Sequence, residues 1–250
     1  MLEDTELKEK STPIESLSGL TAAILAGGLG TRLRSVVADR PKVLAQVGGR
    51  PFLAYLLDQL AVSGIKNVVF CTGYLSEQVQ AEFGASYRRL HLSYSQEPAP
   101  RGTAGALRLA LPRFQSDSVL TMNGDSFCEV DLSAFWSWHR MRGAEATLLL
   151  TKMPDTRRYG RVAVSAEGRL LKFDEKDSNG GPGWINTGIY LLSLPLLQTI
   201  PMGQAVSLER EMVPAWLGRG IYGYQSEARF LDIGTPESYA AAEQFFARRH

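Results

Sequence analysis

The run Leu25-Ala26-Gly27-Gly28-Leu29-Gly30-Thr31-Arg32-Leu33 puts three glycines, a hydroxyl and a guanidinium directly after an apolar stretch, and Pro41-Lys42 follows. Glycines at the end of a strand let the backbone approach a phosphate chain and turn its N–H groups toward the oxygens. Thr31 adds a hydroxyl donor. Arg32 adds a planar fork suited to terminal phosphates. Lys42 supplies a compact charge for a phosphate nearer a reacting centre. Two widespread phosphate loops do not fit. The Walker pattern GxxxxGK[ST] is absent, and the Rossmann pattern GxGxxG, begun at Gly28 and Gly30, fails at its third glycine. That failure disfavours a nicotinamide-dependent oxidoreductase.

Carboxylates stand where such a loop needs them. Asn123-Gly124-Asp125 closes a predicted strand, and ligands of open α/β sheets bind at strand ends. Asp232, in Leu231-Asp232-Ile233-Gly234-Thr235-Pro236, has the same setting. Magnesium prefers one or two protein oxygens plus substrate phosphates. Either aspartate alone reads equally as a turn or cap residue. Gly102-Thr103-Ala104-Gly105 opens a helix with small residues on which a flat base could lie and use backbone N–H and C=O groups. Glu97 stands just ahead of it, followed by Pro98 and Pro100, which stiffen the segment. A carboxylate there would accept both adjacent donors of guanine, N1–H and N2–H₂, and repel the O2 and O4 acceptors of uracil or thymine. Its alternative is the end of a strand in solvent. Further along, Lys176 after Glu175 could hold a sugar phosphate, Asn186 in Asn186-Thr187-Gly188-Ile189-Tyr190 could bond sugar hydroxyls, and Gly188 would leave room for the ring. Glu209 and Tyr159-Gly160 are further acceptor-side candidates. His91, His139 and His250 fall outside every motif, so no His-based triad or metal set is expected.

Together these motifs resemble the nucleoside-diphosphate-sugar pyrophosphorylases, the sugar-1-phosphate nucleotidyltransferases, over about residues 21 to 245. Their signature is an LAGGxGTRL loop followed by Pro-Lys. The wide gap between Arg32 and Lys42 fits this branch; the related molybdopterin nucleotidyltransferases place the lysine nearer the loop. The resemblance implies that Arg32 binds the β,γ-phosphates, Lys42 the α-phosphate, and that Asp125 and Asp232 hold Mg²⁺, with Mn²⁺ as a substitute. It also implies base binding at Gly102–Gly105 and acceptor binding at Glu175, Lys176 and Asn186–Gly188. Pro100-Arg101 departs from the family's Pro-Leu. Within the family, LGTRLRSVV (Leu29 to Val37), GDSFCEVD (Gly124 to Asp131) and the Ser-Leu-Glu helix start most resemble the D-glycero-α-D-manno-heptose 1-phosphate guanylyltransferases. Mannose 1-phosphate guanylyltransferase is the nearest alternative. Thymidylyl, uridylyl or cytidylyl transfer to glucose 1-phosphate stays open. A non-catalytic nucleotide-sugar sensor would be expected to lose Arg32, Lys42 or a metal carboxylate, and all are present.

Positioning such groups needs a mostly parallel, Rossmann-like mixed sheet between helices, a three-layer α/β/α arrangement. Strands are predicted at Leu20–Leu25, Asn67–Cys71, Leu90–Ser95 and Ser118–Met122. Helices are predicted between them at Pro51–Ser63, Ser76–Phe83 with Ser76 as N-cap, and Gly105–Leu111. The second half reads as strands at Ala146–Lys152, Gly160–Val164, Arg169–Glu175, Trp184–Leu192 (kinked at Gly188), Gly220–Gln225 and Arg229–Leu231. Its helices are Ser193–Ile200, Leu208–Leu217 and Pro236–Arg249, the last capped by Thr235. Lys176–Gly183 is a loop. Residues 1–18 read as a flexible leader. Residues 19–250 read as one domain, with a nucleotide-binding half to about residue 130 and a sugar-phosphate half from 131.

Bulk properties agree. The 250 residues are 44% apolar with net charge +1 and no basic tract, so neither nucleic acid nor a membrane is an expected partner. Cys71 and Cys128 form no CxxC pair and read as buried free thiols of a cytoplasmic protein. No hexapeptide repeat or acyltransferase-like extension is read, so a second activity is not expected. The oligomeric state is open, a homo-oligomer included.

Overall fold

A computed structural model describes residues 16–28, 30, 33, 36, 37, 39–175 and 180–247. The elements run β1 (Thr21–Ala26), β2 (Gln46–Val47), β3 (Arg50–Pro51), α1 (Phe52–Ser63), β4 (Asn67–Thr72), α2 (Ser76–Phe83), β5 (Ser86–Tyr87), β6 (Leu90–Gln96) and α3 (Gly102–Ala110). They continue with β7 (Ser118–Asn123), β8 (Ser126–Cys128), α4 (Leu132–Arg142), β9 (Ala146–Met153), β10 (Gly160–Val164), β11 (Leu170–Glu175) and β12 (Gly183–Ser193). After these come α5 (Leu194–Gln198), a π-helical turn over Leu208–Met212, α6 (Val213–Ala215), β13 (Ile221–Ser226), β14 (Phe230–Asp232), α7 (Pro236–Ala240) and α8 (Ala242–Ala247).

Side chains on the central strands alternate between two cores, as the pleat requires of strands buried on both faces. Ala22 and Ile24 of β1, Val68 and Phe70 of β4, and Leu120 and Met122 of β7 join one core with α1. Ala23, Val69, Cys71 and Val119 turn to the other, with Leu107 and Ala110 of α3. Helices therefore cover both faces, giving the expected three layers. The ten-stranded sheet runs β11-β10-β12-β7-β1-β4-β6-β5, with β9 against β12 and β13 against β9. β7, β1, β4 and β6 are parallel neighbours, and β13 is parallel to β9. β12 enters antiparallel between β7 and β9, so the sheet is mixed with a parallel centre.

A small second sheet matters more for chemistry. β8 pairs antiparallel with β14, placing Ser126 opposite Asp232, and Ile233 N–H donates to Asp125 O at 2.9 Å. This ladder brings the end of β7 to the end of β14.

Several boundaries differ from those expected. The core begins inside the supposed leader, because Leu17, in a 3₁₀ turn capped by Ser16, is buried. Residues 1–15 lie outside the described residues. Ser76 is not an N-cap: Leu75 holds that place at φ 55°, and Ser76 is buried in the first turn. α3 starts at Gly102 rather than Gly105. Leu208–Leu217 is not one α-helix. Pro214 has no N–H to continue the ladder, and Met212 N–H reaches back to Ser207 O in a π turn. The closing helix is assigned in two pieces, broken at Ala241. α4 was not anticipated, although its signals are plain. Asp131 Oδ1 accepts from Ser133 and Ala134 N–H, Leu132, Phe135 and His139 are buried at helical spacing, and Gly143 ends it at φ 55°.

Candidate active site

A cavity of about 380 Å³ opens at the C-terminal ends of the parallel strands, lined by Leu25, Ala26, Gly27, Gly28 and Gly30 from the loop after β1. Close approach dictates the glycines. A Cβ on Gly27 would lie 2.7 Å from Glu97 Oε1, and one on Gly73, after β4, would meet the same oxygen at 2.7 Å. Gly30 has φ +60°, and a Cβ there would press on Lys42 Cβ at 3.1 Å. Thr31 and Arg32, expected on the phosphates, lie outside the described residues, as does Leu29.

Glu97 is not in solvent. Its backbone N–H extends the β4–β6 ladder onto Thr72 O at 2.9 Å, and its Oε2 accepts from Arg101 N–H at 2.9 Å. Burial raises its pKa, opposed by the Arg101 N–H and the Arg101 charge. The carboxylate faces the cavity beside Gly102 and Thr103. Arg101, where the family has leucine, thus contributes through its backbone, which also accepts Val206 N–H at 2.8 Å.

The Gly102–Gly105 segment corrects part of the expectation. The N–H groups of Ala104 and Gly105 both donate to Val206 O, at 3.0 and 3.2 Å, so neither is available to a base. Ala104 is buried, and a Cβ on Gly105 would meet Gln204 O at 2.8 Å. Smallness here admits the 204–206 backbone. Gly102, at φ +68°, and Thr103 do line the cavity. Gly124 is likewise a packing residue: its N–H donates to Leu25 O, and a Cβ would meet that oxygen at 2.8 Å and Val43 Cγ1 at 2.9 Å.

At the deep end, Lys42 Nζ and Asp125 Oδ2 form an ion pair at 2.6 Å, the lysine side chain 10% exposed and the aspartate 40%. Asp232 Oδ1 accepts Gly234 N–H at 2.6 Å, and Arg158 Nη2 lies 3.3 Å from its Oδ2. Burial first, then the Asp232 charge and a hydrogen bond to it, raise the pKa of the Tyr159 hydroxyl. Two hard-oxygen carboxylates on adjacent strand ends beside a cavity form a donor set that fits a divalent ion such as Mg²⁺. Among the described residues no three His, Cys, Asp or Glu groups cluster as a full metal cage. Substrate oxygens would complete such a site.

A second cavity of about 220 Å³ adjoins the first through Asn123, which lines both. Asn123 Oδ1 is buried without a partner among the described residues, and Gly188 is glycine because a Cβ would strike the Asn123 amide at 2.5 Å. Tyr159, Gly160, Asn186, Thr187, Gly188 and Glu209 all line this cavity. Asn186 Nδ2 donates to the Tyr190 hydroxyl at 2.6 Å, which donates to Glu209 Oε1 at 3.1 Å. Glu209 Oε2 accepts the Thr103 hydroxyl at 2.8 Å. The Thr187 hydroxyl is spent on Leu149 O at 3.0 Å. For Glu175 only the backbone, ending β11, is described, and Lys176 lies outside the described residues. Sequence reasoning missed Tyr190, whose ring is buried, and Arg158, which neighbours the noted Tyr159-Gly160 pair but carries no motif of its own. Cys71 and Cys128 are the expected buried free thiols, with burial pushing both up to about 12.

The corrected role of Gly124 is measurable. Gly124→Ala should lower unfolding free energy by roughly 1–3 kcal/mol, the usual cost of overpacking. Urea denaturation without nucleotide reads this directly. An unchanged midpoint would return Gly124 to a ligand-contact role.

Known proteins share this arrangement. The family model described as nucleotidyl transferase matches residues 21–249. A D-glycero-α-D-manno-heptose 1-phosphate guanylyltransferase of Aneurinibacillus thermoaerophilus is 35% identical over 90% of this chain and 97% of its own length. A mannose-1-phosphate guanylyltransferase of Mycobacterium tuberculosis is 36% identical over 87% of this chain, which spans 62% of that enzyme. The crystal structure of HddC from Yersinia pseudotuberculosis is similar at TM-score 0.82 and 29% identity, covering 91% of this chain and 99% of that one. The same protein has been solved in complex with GMP-PN at TM-score 0.81, 29% identity and the same coverage. With the glycine loop, Lys42 and the paired aspartates in one cleft, the chain belongs to the nucleotidyl transferase family of enzymes.

Proposed function

We propose that the chain transfers GMP from GTP to D-glycero-α-D-manno-heptose 1-phosphate, giving GDP-heptose and pyrophosphate. The observation that carries the donor is Glu97. Its carboxylate is half-buried in the first cavity and fixed by Arg101 N–H, where it can accept the N1–H and N2–H₂ donors of guanine. Uracil or thymine would set its O2 and O4 acceptors against it, which a polar site discriminates strongly. The acceptor is supported by the heptose enzyme that this chain matches over 97% of its length. Mannose 1-phosphate is the second reading, favoured by the 36% identical mycobacterial relative.

The sugar phosphate oxygen attacks the α-phosphorus of GTP in line. The bond from that phosphorus to the β-bridging oxygen breaks, and pyrophosphate leaves. A phosphate monoester has its second pKa at about 6, so the nucleophile is already ionised and needs no general base. That suits cavities that neither described histidine, His91 or His139, lines. Catalysis is positioning and charge stabilisation. Lys42 stabilises charge at the α-phosphate, Arg32 steadies the departing pyrophosphate, and Lys176 holds the acceptor. Asp125 and Asp232 would hold Mg²⁺ or Mn²⁺, which supplies neutralisation of phosphate charge. No helix among the described residues is long and apolar enough to cross a membrane.

Pyrophosphate release, measured with GTP, ATP, UTP, CTP and dTTP against heptose, mannose and glucose 1-phosphates, tests the whole reading. GTP with the heptose phosphate should be fastest. Glu97→Gln should lower the GTP over UTP and dTTP preference more than turnover at saturating donor. A wild-type preference for a pyrimidine triphosphate, or an unaltered donor ratio in Glu97→Gln, would overturn it; mannose as best acceptor would select the second reading.

The charged groups give a separate expectation. Lys42→Ala, Arg32→Ala, Asp125→Asn and Asp232→Asn should each lose at least ~100-fold in turnover, in line with losses of single electrostatic stabilisers. Activity should vanish in EDTA and return with Mg²⁺ or Mn²⁺. Near wild-type rates in a variant would remove that residue from the site.

A further inference from the structure

The second cavity has one cation among the described residues that line it, Arg158, set against the carboxylates of Glu209 and Asp232. Among the described residues, a phosphate dianion entering there meets two negative groups and one positive one. Arg158 is held loosely. Its ion pair to Asp232 is 3.3 Å long and its contact to Ser238 Oγ is 3.5 Å, whereas Lys42 holds Asp125 at 2.6 Å. Its side chain is 45% exposed, against 17% for Asp232. The backbone beneath it is fixed. Thr156 is buried, its N–H and hydroxyl both donate to Gly181 O, at 3.1 and 3.2 Å, and Tyr159 N–H donates to Thr156 O at 3.0 Å. A pinned turn carrying a guanidinium held only by these long contacts and by the Tyr159 ring, 5.6 Å away, lets the side chain change partner without moving the strand that follows. Asp232 keeps Gly234 N–H and the Tyr159 hydroxyl when the arginine leaves.

We propose that Arg158 binds the phosphate of the sugar 1-phosphate, and that it does so by giving up Asp232. In the resting site the arginine screens a carboxylate that otherwise repels the acceptor. A divalent ion held by Asp232 would free the guanidinium for the cavity, where its planar fork suits a phosphate. Donor binding thereby prepares the acceptor site. The assignment rests on the acceptor being a sugar 1-phosphate, as proposed above.

Two measurements test it on the full chain, with D-glycero-α-D-manno-heptose 1-phosphate as probe. In steady-state kinetics, Arg158→Gln should raise KM for the sugar phosphate roughly ten- to a hundredfold, the scale of a hydrogen bond to a charged group, without raising KM for GTP, since the arginine competes with the donor's divalent ion for Asp232. Arg158→Lys should recover part of the loss. In calorimetric titration in EDTA, Asp232→Asn should bind the sugar phosphate more tightly than wild type, because the arginine's competing partner is gone. Asp232→Asn combined with Arg158→Gln should bind it at least ~10-fold more weakly than Asp232→Asn alone. An unchanged acceptor KM in Arg158→Gln, or equal affinity in the double variant and Asp232→Asn, would overturn the assignment while leaving the transferase reading intact. Wild-type protein that turns over no sugar 1-phosphate would overturn that reading first and this assignment with it.

Discussion

Two carboxylates from opposite halves of the chain have to stand side by side at the mouth of the sheet, and like charges resist that. The β8–β14 ladder imposes the neighbourhood through backbone bonds, with Ser126 opposite Asp232 and Asp125 O taking Ile233 N–H. Cations then offset the charge: Lys42 on Asp125 and Arg158 on Asp232. Each aspartate of the resting site therefore has a cation of its own. In the proposed mechanism the same four groups become the phosphate machinery when substrates supply other partners. A site that exchanges counterions in this way binds polyphosphate without creating a buried uncompensated charge.

The two cavities are mechanically joined. Asn123 lines both, and a hydrogen-bonded series runs from Thr103 at the first cavity through Glu209 and Tyr190 to Asn186 at the second. Thr103 Oγ1 also accepts Leu208 N–H at 2.7 Å, which ties the N-terminus of α3 to the π turn at Leu208–Met212. The backbone over Gly102 and Gly105 completes this joint, which explains why small residues are needed there. The series ties the floor of the donor pocket to groups that face the acceptor, and a shift of α3 would be felt at both.

Much of this was legible in the sequence for a physical reason. Strands buried on both faces write themselves as short apolar runs, and β1, β4 and β7 were readable to within a residue or two. The glycine loop and the two aspartates were readable because each sits at a strand end, where position alone narrows the chemistry, and Lys42 because a Pro-Lys pair follows the loop. What escaped were relations between distant backbone segments. Nothing near Gly102–Gly105 tells that Val206 will use the Ala104 and Gly105 N–H groups, or that Gly124 is small because Leu25 O lies above it. Arg158 escaped because its meaning comes from Asp232, seventy-four residues on, through tertiary structure. α4 was simply overlooked, since its Asp131 cap and Gly143 stop are local signals.

The central claim is that the Lys42–Asp125 pair is a resting arrangement which the nucleotide opens. A crystal structure of the chain with a non-hydrolysable GTP analogue and Mg²⁺ tests it most directly. The account predicts Lys42 Nζ on an α-phosphate oxygen and parted from Asp125, with the Watson–Crick edge of guanine at Glu97. A bound nucleotide with Lys42 and Asp125 still at their resting 2.6 Å would contradict it.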